Sequence, residues 1–429
     1  MLIAYRYLTF FLFPLFVLLI YFRTIFKKED KIRFKEKIFS SHFKVDRNYN
    51  NKLLWFHVAS IGELLSILPL IKEINNLNKN IDFLITSVTL SSANLLKKKL
   101  NQYNNVTHRF FPLDTEYLST DFLNQWKPDL VCFVDSEIWP NFLFKIKEKN
   151  IPLVLINGRI TKKTFKKWSI FPNFAKRVFN NFDLSLACSE ESKNNLEALH
   201  VKNLSYIGNL KFSVRTENRK LSEPNLKILN KFKVWCAVST HEEEELIILK
   251  THLEIKKKHN NILTIIAPRH IDRAINVKNL SDKLNLNSQI LNDGDTIDSK
   301  KEILIINSFG ILFEYFNYCK NVFIGKSLIK KLELVGGQNP IEAAKFDCKI
   351  YHGPYVYNFQ EIYDFLKISN ISEQVNDEKE LSKKLIEDFE KYQKKENNNI
   401  IFLNQHGDKI LKETILKLDK LVKIKNETK

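Results

Sequence analysis

Short apolar, β-branched runs alternate with longer amphipathic stretches along most of this chain, the pattern of βα units stacked on a parallel sheet. Runs at 53–58, 83–88, 130–135, 153–157, 184–189 and 204–208 predict the strands of a first domain. A polar stretch, VRTENRKLSEP at 214–224, then breaks the alternation and marks a linker. The pattern resumes at 234–239, 263–267, 303–307, 322–325 and 349–352, which predicts a second sheet, and helical spacing governs the Lys- and Glu-rich stretch from 378 onward. No repeat of the solenoid kind interrupts this reading. Open α/β sheets bind ligands beyond the carboxyl ends of their strands, so two such sheets leave a cleft, and the chemistry is expected in the strand-to-helix loops.

The first 22 residues, MLIAYRYLTFFLFPLFVLLIYF, are interrupted only by Arg6, Thr9 and Pro14, and a basic cluster follows at Arg23, Lys27, Lys28, Lys31, Arg33 and Lys35. This is the pattern of a membrane anchor. Tyr21-Phe22-Arg23 offers no small-residue cleavage site, which argues against a cleaved signal peptide. The uninterrupted apolar part is short beside the ~20 residues of a full span, so both a span and a shallow, monotopic insertion stay open. Positive charge directly after the anchor predicts that the body lies on the cytoplasmic side.

Composition narrows the field. At 429 residues, 44 % hydrophobic and 27 % charged, the chain has the makings of packed cores and is no disordered protein. Its formal charge of +18 suits an anionic partner, and with lysines spread along the chain and no nucleic-acid module visible, a phosphorylated substrate or an acidic membrane fits better than RNA or DNA. Cys132, Cys188, Cys236, Cys319 and Cys348 are unevenly spaced, and most sit in apolar strand-like runs. They predict buried thiols in a reducing compartment, with neither a disulfide framework nor a zinc site.

Several strand exits carry candidate chemistry. In the run from Trp55 to Glu63, WFHVASIGE, Ser60 and Glu63 have the spacing of a capping box; alternatively Gly62 permits close approach of a substrate and Glu63 acts as general base on an acceptor hydroxyl. Spacing alone favours the cap. Asp135-Ser136-Glu137-Ile138-Trp139-Pro140-Asn141 ends an apolar strand, where its two acids suit either a nucleotide-bound metal or plain loop and capping roles. Asn157-Gly158-Arg159 and Gly208-Asn209-Leu210-Lys211-Phe212 place Arg159 and Lys211 where cations would hold phosphate or carboxylate groups, although a lone loop cation is more often just solvated. Ala267-Pro268-Arg269-His270 puts a rigid turn and a fixed charge at a strand end. In VGGQNPIE at 335–342, Asn339 suits an N-cap, Pro340 the first helical position and Glu342 the capping-box partner; Gly336 and Gly337 would let a phosphate approach the helix start, with Glu342 free for ribose hydroxyls.

Three lookalikes are set aside. Gly325-Lys326-Ser327 mimics the end of a P-loop, but the earlier glycine is Lys320. Asp293-Gly294-Asp295 is a polar turn that mimics an acidic metal motif. Ser239-Thr240-His241 runs into Glu242–Glu245, an acidic first turn that would complement a helix dipole and repel phosphate.

Taken in order over roughly residues 35–370, the pieces HVASIGE, FFPLD, DSEIWPN, INGRIT, IGNLKF, STHEEEE, APRH and GGQNPIEAA resemble the family of 3-deoxy-D-manno-octulosonic acid (Kdo) transferases. The resemblance implies an α/β fold of the GT-B type, two Rossmann-like domains facing a central cleft: an anchor at 1–22, an acceptor domain at 35–213, a linker at 214–224 and a donor domain with C-terminal helices at 225–429. It implies inverting, metal-independent transfer of Kdo from CMP-Kdo to the lipid A precursor at the cytoplasmic face of the inner membrane, without a cofactor. By the same analogy Glu63 is the base, Asp135, Glu137 and Lys211 support the transition state, and Pro268, Arg269, Asn339 and Glu342 hold CMP. Ser60, Gly62, Arg159, Gly310, Ile311, Gly336 and Gly337 would complete the substrate contacts. The chain departs from the family where Asp135 replaces Glu, Gln338 replaces His, and Asn307-Ser308-Phe309-Gly310-Ile311 replaces a segment with an Asp and a Glu. Transfer from another nucleotide sugar and an inactive lipid-binding homologue are the alternatives.

Overall fold

The computed structural model describes residues 1–45, 47–100, 103–216, 220–308, 310–391 and 398–424. The chain divides into two compact units, one of residues 1–214 with 406–429 and one of residues 215–405. Each is built on a parallel seven-stranded sheet.

In the first unit the strands are β1 (Lys52–Val58), β2 (Ile81–Ser87), β3 (Val106–Phe110), β4 (Leu130–Val134), β5 (Leu153–Gly158), β6 (Leu184–Ala187) and β7 (Leu204–Tyr206), in the order β3-β2-β1-β4-β5-β6-β7. β1 pairs with β2 on one side and with β4 on the other, Leu54 standing opposite Leu130. Helices cover a parallel sheet on both faces, and its central strands are accordingly near-continuous apolar runs. The core gathers around Trp55, whose ring lies 4.9 Å from Phe122 and 5.6 Å from Phe142. Such offset and tilted aromatic contacts add to the burial term.

Among the described residues one helix, α1 (Leu2–Ile25), is long and apolar enough to cross a membrane. It is no loose tether. One side of it is fastened to the first unit: the Tyr5 hydroxyl donates to Asp114 at 2.7 Å, Arg6 pairs with Glu116 and Glu148, and Asn141 donates to the Thr9 hydroxyl at 3.3 Å. Phe13, Val17 and Ile20 then pack on Phe34, Ile38 and Leu113. The opposite side leaves Ile3, Tyr7, Phe10, Phe11, Leu18 and Phe22 exposed. Part of the basic cluster is consumed internally, with Arg23 on Glu29 and Arg33 on Glu36, while Lys27, Lys28, Lys31 and Lys35 stay exposed.

The second unit holds β8 (Lys233–Thr240), β9 (Ile262–Pro268), β10 (Ser288–Leu291), β11 (Ile303–Ile306), β12 (Asn321–Ile324), β13 (Lys349–His352) and β14 (Ser372–Gln374), ordered β10-β11-β9-β8-β12-β13-β14. Trp235, Ile266, Phe323 and Tyr351 lie in its core. All five cysteines are free and buried, as their apolar surroundings predicted.

Two readings of the sequence are corrected, and a third lies partly outside the described residues. The edge strands β3, β10 and β14 were not foreseen, because short runs such as VTHRF and SEQ lack a continuous apolar signature. The expected second domain of 225–429 gives up its last segment: from His406 onward the helix Asn398–Val422 groups with the first unit, where Gly407 lies against Phe212 and Lys417 reaches Ser205. The expected linker at 214–224 includes Glu217, Asn218 and Arg219, which lie outside the described residues.

Candidate active site

In the first sheet the strand order turns between β1 and β4, whose following helices diverge to opposite faces and leave a crevice for ligands at the carboxyl ends. The acidic groups foreseen in the sequence gather there. Ser60 caps α2 (Ile61–Leu77), its hydroxyl oxygen accepting the Glu63 amide at 3.3 Å, while the Glu63 carboxylate takes the Ala59 amide at 2.7 Å and the Ser60 hydroxyl at 2.8 Å. The Ser60 cap is therefore built, with Glu63 reaching back to the Ala59 amide and the Ser60 hydroxyl. Burial first, and then the charges of Asp135 and Glu137, push the Glu63 carboxyl up from 4.5 to about 7, while its two hydrogen bonds oppose the rise. A carboxylate so placed is held still by its cap and tuned close to neutrality, as a general base requires. Beside it, a side chain at Gly62 would meet only the Ser60 hydroxyl oxygen within 4 Å.

Asp135, at the exit of β4, adopts a left-handed backbone (φ 56°), as does Asn157 at the exit of β5 (φ 53°). The Asp135 carboxylate accepts from the Asn157 amide at 2.5 Å and from the Lys211 ammonium at 3.0 Å. Asn157 in turn accepts the Leu210 amide at 2.8 Å, and Asn209 caps the turn by accepting the Lys211 amide at 3.0 Å. Burial opposes the Lys211 charge, yet the Asp135 carboxylate outweighs it and holds that ammonium above its usual range. The Arg159 amide donates to the Asp135 carbonyl at 3.0 Å, so the INGRIT loop is bound to the same turn. From behind, the C-terminal helix braces the Lys211 loop: a methyl group at Gly407 would lie 2.1 Å from the Phe212 carbonyl oxygen.

Glu137 has different partners. Its Oε2 lies 3.2 Å from His57 Nε2 and accepts the Trp139 indole N–H at 2.8 Å. His57 is fully buried, stacked on Phe111 at 3.8 Å, with Nδ1 3.0 Å from the Thr86 hydroxyl, which also accepts the Trp55 indole N–H. A carboxylate opposite Nε2 selects the tautomer with the proton there. Asp135 and Glu137 are thus committed to separate partners rather than joined as a metal-ligating pair. His57, Thr86, Trp139 and Asn157 enter the site through these contacts; His57, Trp139 and Asn157 lay within the quoted motifs without a role of their own, and Thr86 had no signal in the sequence.

In the second sheet the order turns between β8 and β12. Pro268 closes β9, and the Arg269 amide donates to the Thr240 carbonyl at 3.0 Å with the side chain exposed. Gly336 and Gly337 serve backbone packing: a methyl at Gly336 would sit 2.2 Å from the Tyr355 carbonyl oxygen, and the Gly337 amide (φ 91°) donates to the Lys326 carbonyl at 2.7 Å. Asn339 accepts the Ile341 amide at 3.2 Å, but the following helix, Ile341–Ala344, is a single turn with no capping box. This corrects the expected role of Glu342 as cap partner; burial instead raises its carboxyl above the ordinary range. The acidic run does open a helix, Glu244–Lys256, with Glu244 and Glu245 in its first turn. Both are fully buried there, and Glu245 grips Arg273. Asp293-Gly294-Asp295 is the polar turn expected, Asp295 accepting the Asn292 amide. Gly310 (φ 84°) has open space around it and Ile311 is buried, whereas Phe309 of the altered segment lies outside the described residues.

Two parallel seven-stranded sheets, each with ionisable groups where its strand order turns, place the chain among proteins of the GT-B fold. A glycosyltransferase from Rickettsia africae shares that fold (TM-score 0.58, 13 % identity, 87 % of this chain and 100 % of that one), as does a UDP-GlcNAc 2-epimerase from Neisseria meningitidis (TM-score 0.54, 14 % identity, 86 % and 100 %). Within it, the chain belongs to the 3-deoxy-D-manno-octulosonic acid transferase family. A transferase of that name from Rickettsia typhi is 30 % identical over 425 residues, covering 89 % of this chain and 90 % of the relative. The family model for 3-deoxy-D-manno-octulosonic-acid transferase (kdotransferase) matches residues 32–214.

Proposed function

We propose that this chain transfers a Kdo residue from CMP-Kdo to a glucosamine hydroxyl of the lipid A precursor, with inversion and without a metal. The observation that carries the reading is the Glu63 carboxyl, fixed by two hydrogen bonds at the turn point of the first sheet and raised to about 7. Glu63 takes the proton of the acceptor hydroxyl as its oxygen bonds to the anomeric carbon of the donor; the bond from that carbon to the phosphate oxygen breaks, and CMP departs with the electron pair. The Lys211 cation, locked on Asp135, supplies fixed positive charge in the first unit. In the second unit Pro268, Arg269, Asn339 and Glu342 would hold the nucleotide, with Gly310 and Ile311 beside it. Ser60, Gly62 and Arg159 belong to the acceptor side.

The exposed apolar side of α1 and the lysines that follow it fit an anionic leaflet, which for this reaction is the cytoplasmic face of the bacterial inner membrane. Product analysis with CMP-Kdo and a tetra-acylated lipid A precursor tests the whole reading. Glycosylated lipid is expected from the parent chain, with or without a chelator, and none from Glu63→Gln. Lipid left unmodified by the parent chain, or modified only from a uridine sugar, would overturn it.

A further inference from the structure

The mouth of the second sheet is organised by a carboxylate that turns inward. Glu244 Oε2 accepts the amides of His241 at 3.0 Å and Lys326 at 2.7 Å, and its Oε1 accepts those of Ser327 at 2.8 Å and Leu328 at 3.0 Å. Four donors fill one buried side chain and rivet the end of β8 to the loop after β12, the two strands between which the order turns. The approach is close enough to exclude any side chain at Gly325, where a methyl would fall 2.6 Å from Thr240 Cα and 2.7 Å from the Ser239 carbonyl oxygen. Three non-glycine residues here have left-handed backbones: Ser239 (φ 55°), Glu243 (φ 75°) and Lys326 (φ 58°). Such conformations persist where the surroundings over-determine them, and they cluster at ligand sites.

The amides that would cradle a phosphate in a true P-loop are therefore already taken by Glu244. What the loop still offers is the Lys326 side chain. Among the described residues neither Lys326 nor Arg269, which follows β9 on the other side of β8, has a side-chain ion pair or hydrogen bond. Burial, and then the positive charge of Arg269, hold the Lys326 ammonium below its usual range. The backbone brings the two together: the Arg269 amide donates to the carbonyl of Thr240, against whose Cα Gly325 packs, and the Lys326 carbonyl accepts the amide of Gly337.

We propose that Lys326, together with Arg269, receives the phosphate that links nucleoside to sugar in the donor and leaves with the nucleotide. The assignment rests on the CMP-sugar reading above and adds a residue to it. Because position 326 is left-handed, glycine fits its backbone better than lysine, so Lys326→Gly removes the charge without endangering the fold. The test is calorimetric titration of the full chain in detergent with CMP, with cytidine, which lacks the phosphate, and with UMP. Loss of one charge-assisted contact is expected to weaken CMP binding to Lys326→Gly by about tenfold to a hundredfold, with cytidine affinity unchanged and the melting temperature no lower. Lys326→Arg should restore most of the CMP affinity. CMP affinity within twofold of the parent in Lys326→Gly, or an equal loss for CMP and cytidine, overturns the role of Lys326. A parent chain that binds UMP and not CMP overturns the CMP-sugar reading, and the role of Lys326 is then decided by whether Lys326→Gly loses UMP. A parent that binds neither overturns both.

Discussion

Glu63 carries two duties that pull in one direction. Its cap bonds fix the carboxylate, and its burial beside Asp135 and Glu137 raises the proton affinity of that same group. A carboxyl raised from 4.5 to about 7 by folding contributes stability that is fully present below about 4.5 and is lost as pH rises through about 7. Glu63→Gln cannot ionise, so it should be more stable than the parent above pH 7 and not below pH 4.5, as thermal melts across pH would record. Turnover needs the ionised form, so kcat/KM of the parent should rise with pH through about 7, and unchanged turnover in Glu63→Gln would remove Glu63 from the role of base. Lys211→Met strands the buried Asp135 carboxylate with only Asn157, at a cost of about 3–5 kcal/mol in unfolding free energy, measurable by denaturant titration. These three side chains were legible in the sequence, since each ends a strand in a motif. The bond from Lys211 to Asp135 and the His57–Glu137 contact were not, because they join residues 76 and 80 positions apart, and no local spacing encodes such a pair.

At the scale of elements, legibility followed burial. β1, β4 and β9 run through the middle of their sheets and were evident as apolar runs, whereas β3, β10 and β14 lie at or near an edge and carry polar residues. The single-turn helix at Ile341–Ala344 shows the limit of cap patterns: Asn339 and Pro340 signalled a helix start but said nothing about its length. The C-terminal helix was seen as a helix, but its portion from His406 onward groups with the first unit rather than the second, because amphipathic spacing does not name the surface it will meet. Its contact with the Lys211 loop is testable through Gly407. Alanine there favours the helix intrinsically, yet its methyl would strike the Phe212 carbonyl oxygen. Gly407→Ala should lower stability by about 1–3 kcal/mol and reduce kcat by displacing the loop that carries Lys211, as denaturant melts and a transfer assay would show.

For the molecule as a whole, α1 is, among the described residues, the helix long and apolar enough to cross a membrane. The sequence left a span and a surface helix open, and the contacts of Tyr5, Arg6 and Thr9 show that one side of the helix belongs to protein. Replacing exposed Phe10 and Phe11 by serine should weaken flotation with vesicles containing anionic lipid while leaving the melting temperature unchanged, and raised salt should weaken binding further by screening Lys27, Lys28, Lys31 and Lys35. The docked side has a different consequence. Asp114 is sealed in by Tyr5, holds the amides of Asn141 and Phe142, and is pushed up to about 6 chiefly by that enclosure. Removing residues 1–25 to make the protein easier to purify would therefore strip cladding from the first unit, wetting the carboxyl that holds the amides of Asn141 and Phe142, at the start of the helix that follows Glu137. The shortened protein would gain solubility and forfeit the wall that its own anchor had been.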